Sequence, residues 1–128
     1  MKRKVFLIIS AVLALFFGLH MLIAPGKMLE NMVNVNTPDL QHALQWSGTM
    51  LVAIAVMNFL SRNDPGSAAL RAVMIGNIIL HVIGFGVDAY GYSIGFLKMY
   101  GLVSGAVVHI LLTIGFIYYL MKLPKSAA

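Results

Sequence analysis

The chain has 128 residues, of which 60% are apolar and only 10% are charged, and its formal net charge is +5. So few charged residues would leave a water-soluble domain of this size without enough polar surface to cover itself, which excludes that class of protein. The absence of cysteine excludes disulfides and thiol-based redox chemistry. We interpret the positive charge as a signal of membrane topology and not as the footprint of a nucleic-acid partner.

Four apolar segments are each long enough to cross a lipid bilayer. A hydrocarbon core about 30 Å thick requires roughly 20 helical residues, and such runs occur at residues 5–23, 42–60, 68–87 and 101–120. These segments fill nearly the whole chain and leave no room for a second domain. We therefore predict an all-α fold in which residues 1–128 form a single integral membrane four-helix bundle.

The first segment follows a basic amino terminus, as the apolar part of a signal peptide would. Its length of about 19 residues exceeds the roughly 7–15 residues of a typical signal core. No small-x-small cleavage pattern follows it, because residues 22–27 read LIAPGK. We interpret this segment as a retained span, with cleavage after Ala24 as the alternative.

Lysine and arginine are unevenly distributed between the two ends of the predicted spans. Only Lys27 and Lys98 fall at the ends opposite the chain termini. Positively charged loops stay in the cytoplasm, so we predict that both termini are cytoplasmic. The same bias argues against a dual-topology exporter, in which the charge would be balanced. The basic residues on the side of the termini are Lys2, Arg3, Lys4, Arg62, Arg71, Lys122 and Lys125.

The connections between the spans carry signals of their own. Residues 61–67 read SRNDPGS, a tight-turn sequence that predicts an antiparallel hairpin of the second and third spans. The connection from residue 24 to residue 41 has apolar residues at near-helical spacing. This pattern predicts a short amphipathic helix at the membrane interface, with an ordinary polar loop as the alternative. Thr37 or Asp39 is the predicted amino-terminal cap of the second span.

The third span carries polar residues that are costly in lipid. On a helix, Asn77, His81, Gly84 and Asp88 fall within a sector of about 60°. They form a stripe that rises from the middle of the membrane to its outer surface. Because a charged side chain costs roughly 2.5–3.5 kcal/mol at the centre of a membrane helix, we expect the stripe to face the bundle interior or a wet cavity.

The histidines are predicted to lie in the outer half of the bundle, one on each span. Trp46 and Ser104 fall at similar depth, whereas the inner half offers little beyond Ser10, Asn58 and Thr113. Scattered structural histidines would have no reason to gather on one side, so this asymmetry is the most informative feature for function. The histidines are His20, His42, His81 and His109.

Three interpretations of this cluster stay open. Its members form hydrogen bonds between helices, each worth about 0.6–2 kcal/mol; or they line a site for a quinone, a lipid or an isoprenoid; or they hold a metal or haem. For the last, His81 and His109 are the candidate ligands, with His20 as a substitute, although no two histidines have the spacing of a local ligand motif. The predicted ligand-binding residues are His20, Trp46, Asn77, His81, Asp88, Ser104 and His109.

Three stretches in order, FGLHMLIAPGKMLE, WSGTMLVAIAVMNFLSR and LRAVMIGNIILHVIGFGVDAYGY, precede a glycine-bearing last span. In this layout, which covers most of the chain, the protein resembles the small bacterial four-helix membrane proteins grouped around the DoxX-like families. The resemblance implies the bacterial cytoplasmic (inner) membrane and, as for some relatives, an accessory role near quinone-linked redox enzymes. The histidines depart from those relatives, so no functional residue is carried over.

We therefore predict a non-catalytic or accessory protein that binds an apolar or amphipathic molecule in an outward-facing cavity lined by histidines, with haem or quinone as the candidate cofactor. A purely structural subunit of a larger membrane complex is the second interpretation, which explains the glycines well and the histidines poorly. A membrane enzyme or channel is the third. The expected partners are the lipid bilayer and either a membrane-protein complex or further copies of the chain, and we expect no nucleic acid.

Overall fold

The computed structural model describes residues 1–124 and is all-helical, with no strand in that range. Within it, four helices are long and apolar enough to cross a membrane, and each contains one of the four predicted segments. The all-α class and the four long apolar helices are confirmed. Lys125, which contributed to the predicted charge bias, lies outside the described residues. The helices are α1 (Arg3–Ile23), α2 (Pro25–Met32), α3 (Pro38–Leu60), α4 (Ala68–Ser93) and α5 (Met99–Met121).

Side-chain caps start α3 and α4. The Thr37 hydroxyl accepts a hydrogen bond from the backbone N–H of Leu40 at 3.3 Å, and Pro38 occupies the first turn of α3. Of the two predicted caps for this helix, Thr37 is therefore the one used. The Ser67 hydroxyl caps α4 in the same way, by accepting from the N–H of Leu70 at 3.2 Å.

The turn between α3 and α4 is organised by one carboxylate. Asp64 Oδ1 accepts hydrogen bonds from the backbone N–H groups of Gly66 and Ser67, both at 2.8 Å, and Asp64 Oδ2 accepts one from the Ser67 hydroxyl at 2.7 Å. Gly66 has a φ of +132°, a conformation that a residue with a side chain rarely adopts. These bonds satisfy the first free N–H groups before α4.

The Asp64 turn predicts a defined dependence of stability on pH. Hydrogen bonds from the Ser67 backbone and side chain, and then from the Gly66 backbone, lower the pKa of Asp64 from its ordinary value of 3.8. Because the pKa is lower in the folded state, the stabilisation is complete above the ordinary pKa and is lost as the pH falls through the folded pKa. We expect Asp64→Asn to lower the thermal unfolding midpoint at neutral pH, and the difference from wild type to shrink in strong acid.

A matched control for this prediction is Glu30→Gln. In the described part of the chain the Glu30 carboxylate accepts no hydrogen bond, and only its backbone carbonyl accepts one, so its replacement should leave the midpoint at neutral pH nearly unchanged. A difference between wild type and Asp64→Asn that stays constant from neutral pH to strong acid would mean that the charge on Asp64 does not contribute.

The long helices are arranged as two pairs, in which α1 packs along α3 and α4 packs along α5. In the first pair the backbones touch at two glycines. A Cβ atom added to Gly48 would lie 2.8 Å from the carbonyl oxygen of Gly18, and one added to Gly18 would lie 3.0 Å from the carbonyl oxygen of Gly48. Although the 61–67 turn joins α3 to α4, these two helices pack mainly against other partners.

The two pairs meet in an aromatic core at the end of the bundle where α1 begins and α5 ends, which we call the termini end. Phe6 of α1 packs edge-on against Phe116 of α5 with ring centroids 4.8 Å apart, and beside Tyr119 with centroids 5.1 Å apart. The Tyr119 hydroxyl donates a hydrogen bond to the backbone carbonyl of Met1 at 2.6 Å. Leu7 and Phe116 are fully buried here, so the bundle is closed at this end.

The opposite end is covered by α2, and we call it the α2 end. The short amphipathic helix is present, with Met28 and Leu29 buried against the bundle. The carboxyl end of α2 is hydrogen-bonded to the connection between α4 and α5. The Lys98 backbone N–H donates to the Met32 carbonyl at 2.8 Å, and Lys98 Nζ donates to the Glu30 carbonyl at 2.6 Å. The α2 helix is therefore a fixed cover and not a free loop.

Candidate functional site

A cavity of about 540 Å³ lies between the two helix pairs. Toward the termini end its floor contains Asn58 and Asn77, and toward the α2 end its roof contains Met28 and Met32. Aliphatic and aromatic side chains line most of the wall between floor and roof. A concave, mainly apolar space of this size with a few polar groups is typical of small-molecule sites.

One wall of the cavity carries a chain of three polar side chains. His81 of α4 and His109 of α5 are hydrogen-bonded through their Nδ1 atoms at 2.9 Å. His109 Nε2 lies 3.6 Å from Asp88 Oδ2. Only 8% of His81 is exposed, whereas the side chains of His109 and Asp88 are 23% and 25% exposed. The row of three side chains therefore extends from the accessible end of the cavity into the buried middle of the bundle.

The bond between the two histidines constrains their protonation. An imidazole nitrogen either donates or accepts, so one of the two Nδ1 atoms must lack a proton for the bond to form. The Asp88 carboxylate, whose Oδ2 lies 3.6 Å from His109 Nε2, favours a proton on that nitrogen. The arrangement can therefore both donate and accept hydrogen bonds toward a molecule in the cavity.

Two glycines leave the space that these side chains occupy. A Cβ atom on Gly84 of α4 would lie 2.7 Å from the His109 ring, and a Cβ atom on Gly105 of α5 would overlap Asp88 Oδ2. Each side chain thus lies over a glycine of the facing helix. The two glycines serve close packing around the polar chain, because any larger residue would push His109 or Asp88 out of place.

The floor of the cavity is a buried amide network that joins α1, α3 and α4. Asn58 Nδ2 donates to Ser10 Oγ at 3.2 Å and to Asn77 Oδ1 at 3.1 Å, while Asn77 Nδ2 donates to Asn58 Oδ1 at 2.9 Å and to the Val73 carbonyl at 2.8 Å. Ser10 and Asn58 are each 1% exposed. In an apolar interior such groups must form hydrogen bonds with each other, so the network fixes which faces of the two helix pairs are turned toward each other.

Ser10 and Asn58 were not among the predicted site residues. In the sequence they were noted only as two of the few polar residues in the inner half of the predicted bundle. Their signal was only an approximately similar depth, since Ser10, Asn58 and Asn77 lie seven, two and nine residues from the termini end of their helices. Polar residues at equal depth on different spans are expected to bond to each other.

The structure brings most of the predicted site residues to the cavity. His81, His109, Asp88 and Asn77 lie together on its wall and floor. Ser104 lies on the wall and donates a hydrogen bond to a backbone carbonyl of its own helix at 3.1 Å. His20 lines the cavity at its accessible edge, apart from the other two histidines.

Trp46 is not part of the cavity, which corrects its predicted assignment. It is 60% exposed on the outer surface of α3, where its Nε1 donates to His42 Nε2 at 3.2 Å. The reason is the direction of packing, because the face of α3 that carries Gly48 is turned toward α1 and Trp46 points the other way. His42 is likewise exposed, so two of the four histidines meet and the other two do not join them.

The histidine pair does not fit a metal or haem iron held between its bonded nitrogens. A bond from a metal to an imidazole nitrogen is about 2 Å long, so an ion between two such nitrogens sets them roughly 4 Å apart. The observed separation of 2.9 Å is that of a hydrogen bond. Among residues 1–124, no group of three or more His, Asp or Glu side chains is arranged to hold a metal ion.

Comparison of the chain with protein-family models, with curated protein sequences and with solved structures gives no match. The resemblance to the DoxX-like families therefore stays a prediction. The cavity and its Asp88–His109–His81 wall are the features from which a function can be inferred.

Proposed function

We propose that this protein is a membrane-spanning four-helix bundle that binds an amphipathic small molecule in its internal cavity, as a non-catalytic or accessory protein. The observation that carries the proposal is a space of about 540 Å³ between the helix pairs, with a wall on which His81 and His109 are hydrogen-bonded and Asp88 Oδ2 lies 3.6 Å from His109 Nε2. A purely structural bundle would gain more from filling such a space with side chains, because unfilled volume costs stability.

The proposed placement is the bacterial cytoplasmic membrane with both termini in the cytoplasm. Four helices of sufficient length and apolarity support the membrane placement. The orientation is supported by the uneven distribution of lysine and arginine along the sequence, since basic loops resist translocation. In this orientation α2 and the open part of the cavity lie toward the outer surface. Membership of a larger membrane complex is part of the proposal.

The chemistry of the cavity favours a ligand with one polar end and an apolar body. His109 faces His81 with one ring nitrogen and Asp88 with the other, so His81 Nε2 is the ring nitrogen of this pair that can hydrogen-bond to a carbonyl or hydroxyl group of a ligand. Most of the remaining wall between floor and roof, which includes Leu13 and Val108, is apolar. Quinones, isoprenoid alcohols and lipids all combine one polar end with an apolar body, and the proposed ligand belongs to this class.

Native mass spectrometry of the gently purified protein tests the proposal. We expect a reproducible mass beyond that of the polypeptide. Ala14 lines the cavity, so Ala14→Trp should fill the space and abolish the extra mass. Val12 is 59% exposed and lies off the cavity, so Val12→Trp should retain it. A bare polypeptide from wild-type protein would favour a structural subunit instead, and extra mass that survives in Ala14→Trp would assign binding to another surface.

A further inference from the structure

We propose that the ligand enters this cavity sideways from the bilayer, through a mouth between α1 and α5. The ligand is then a membrane-dissolved molecule with a hydrogen-bonding head and a long apolar chain, and not a solute taken from water. This inference rests on the proposed function, to which it adds the route by which the ligand enters and the long apolar chain of the ligand. It follows from which parts of the cavity wall are closed and which are open.

Along the bundle axis the cavity is closed at the termini end and covered by α2 at the other end, where it is accessible only at the edge of α2. At the termini end, the Ser10–Asn58–Asn77 network forms the floor above the buried Phe6 and Phe116 rings. At the α2 end, Met28 is 8% exposed and covers the space. The bonds from Lys98 to the carbonyls of Glu30 and Met32 hold this cover to the start of α5, so a direct path along the axis into water is obstructed.

Four members of the cavity lining are exposed, and they mark where the cavity is most accessible. They are Phe16 and His20 of α1, Asn31 of α2 and Tyr100 of α5. Phe16 is 61% and Tyr100 is 68% exposed. In contrast, the lining residues that α3 and α4 contribute are buried or half-buried. The mouth therefore lies between α1 and α5, below the edge of α2.

The contact between α1 and α5 explains why a gap exists there. The two helices touch mainly in the aromatic core, through Phe6 against Phe116 and Tyr119. Farther toward the α2 end, side chains of α1 and α5 face each other across the cavity. The gap is thus built into the arrangement of the helix pairs.

The mouth changes character along its height. Phe16 lies seven residues before the last residue of α1, Ile23, which is about 10 Å along the helix axis. In the proposed orientation its ring faces the outer hydrocarbon layer. His20, Asn31 and Tyr100 border the upper part, at the level where histidine and tyrosine suit the membrane interface. A lipid-like molecule can pass its head along this polar edge while its chain stays in the bilayer.

Photolabelling in phosphatidylcholine vesicles tests the lateral route without knowledge of the natural ligand. One probe is a phosphatidylcholine with a diazirine at the end of an acyl chain, and the other is a small water-soluble diazirine. Labelled positions are mapped by peptide mass spectrometry. We expect the lipid probe, and not the aqueous one, to label Leu13 and Leu112 on the cavity wall. Val103, which is 52% exposed and off the cavity, serves as the lipid-facing reference.

Two variants make the result specific. Ala14→Trp should reduce labelling of Leu112 several-fold and leave Val103 unchanged, whereas Val12→Trp should leave both unchanged. Labelling of the wall by the aqueous probe, or by neither probe, would overturn the lateral route and would leave ligand binding to be judged by the bound mass. If the lipid probe labels the wall of a protein that purifies without extra mass, the proposed function is contradicted, whereas the opening between α1 and α5 is supported.

Discussion

Replacement of Gly48 with alanine is expected to lower the free energy of unfolding by about 1–3 kcal/mol, the usual cost of adding a methylene to a filled interior. The new Cβ atom would lie 2.8 Å from the Gly18 carbonyl oxygen and 2.9 Å from Met21 Cβ. Both atoms belong to the rigid frame of α1, so the strain can be relieved only by moving one helix away from the other. Reversible unfolding in mixed micelles titrated with a denaturing detergent measures this loss.

The matched control for Gly48→Ala is Gly76→Ala, on α4. Within the described residues a Cβ atom at position 76 would meet nothing within 4 Å. Alanine has the better helix propensity, by up to about 1 kcal/mol in water, so this variant should be neutral or slightly stabilising. Equal losses in the two variants would show that α1 and α3 do not approach at Gly18 and Gly48.

Replacement of Gly105 with alanine is expected to disconnect Asp88 from His109 and to weaken ligand retention about tenfold. The added Cβ atom would overlap Asp88 Oδ2, so the carboxylate must turn away. We take the lost positioning of His109 to cost about 1.4 kcal/mol of binding free energy, which corresponds to a factor of ten in affinity. The bound mass in native spectra reports retention, and the imidazole nitrogen signals in NMR spectra report the state of His109.

The control for this site is Gly86→Ala, two residues from Asp88 on α4. In the part of the chain that the structure describes, a Cβ atom there would meet no atom within 4 Å. Both the bound mass and the imidazole signals should match those of wild type. If Gly105→Ala also leaves both unchanged, the Asp88–His109 contact does not position the ligand, and the polar wall of the cavity has no role in binding.

The candidate site was partly predictable because a helix has a regular phase. Asn77, His81 and Asp88 were expected on one face of the third span, and they do line one cavity. Their partners were not predictable in the same way. The contact of Asp88 with His109 joins two helices, and the phase within each helix does not say which faces of different helices meet.

Trp46 shows the limit of this reasoning from another side. Its position near the end of the second span was compatible with a cavity wall, yet it lies exposed on the surface of α3. The deciding contact is between Gly18 and Gly48, because close backbone approach is possible only where both helices lack side chains. The orientation of α3, and with it the position of Trp46, follows from that contact.

The sequence by itself determined the all-helical class, the four long apolar helices and the polar face of α4, because length and apolar composition leave a chain in lipid few other ways to satisfy its backbone. Only the tertiary structure decided that α1 pairs with α3 and α4 with α5, that Ser10, Asn58 and Asn77 bond at one depth, and that a cavity remains between the pairs. These features depend on side chains from several helices fitting together, and such a fit is not encoded in the periodicity of any single segment.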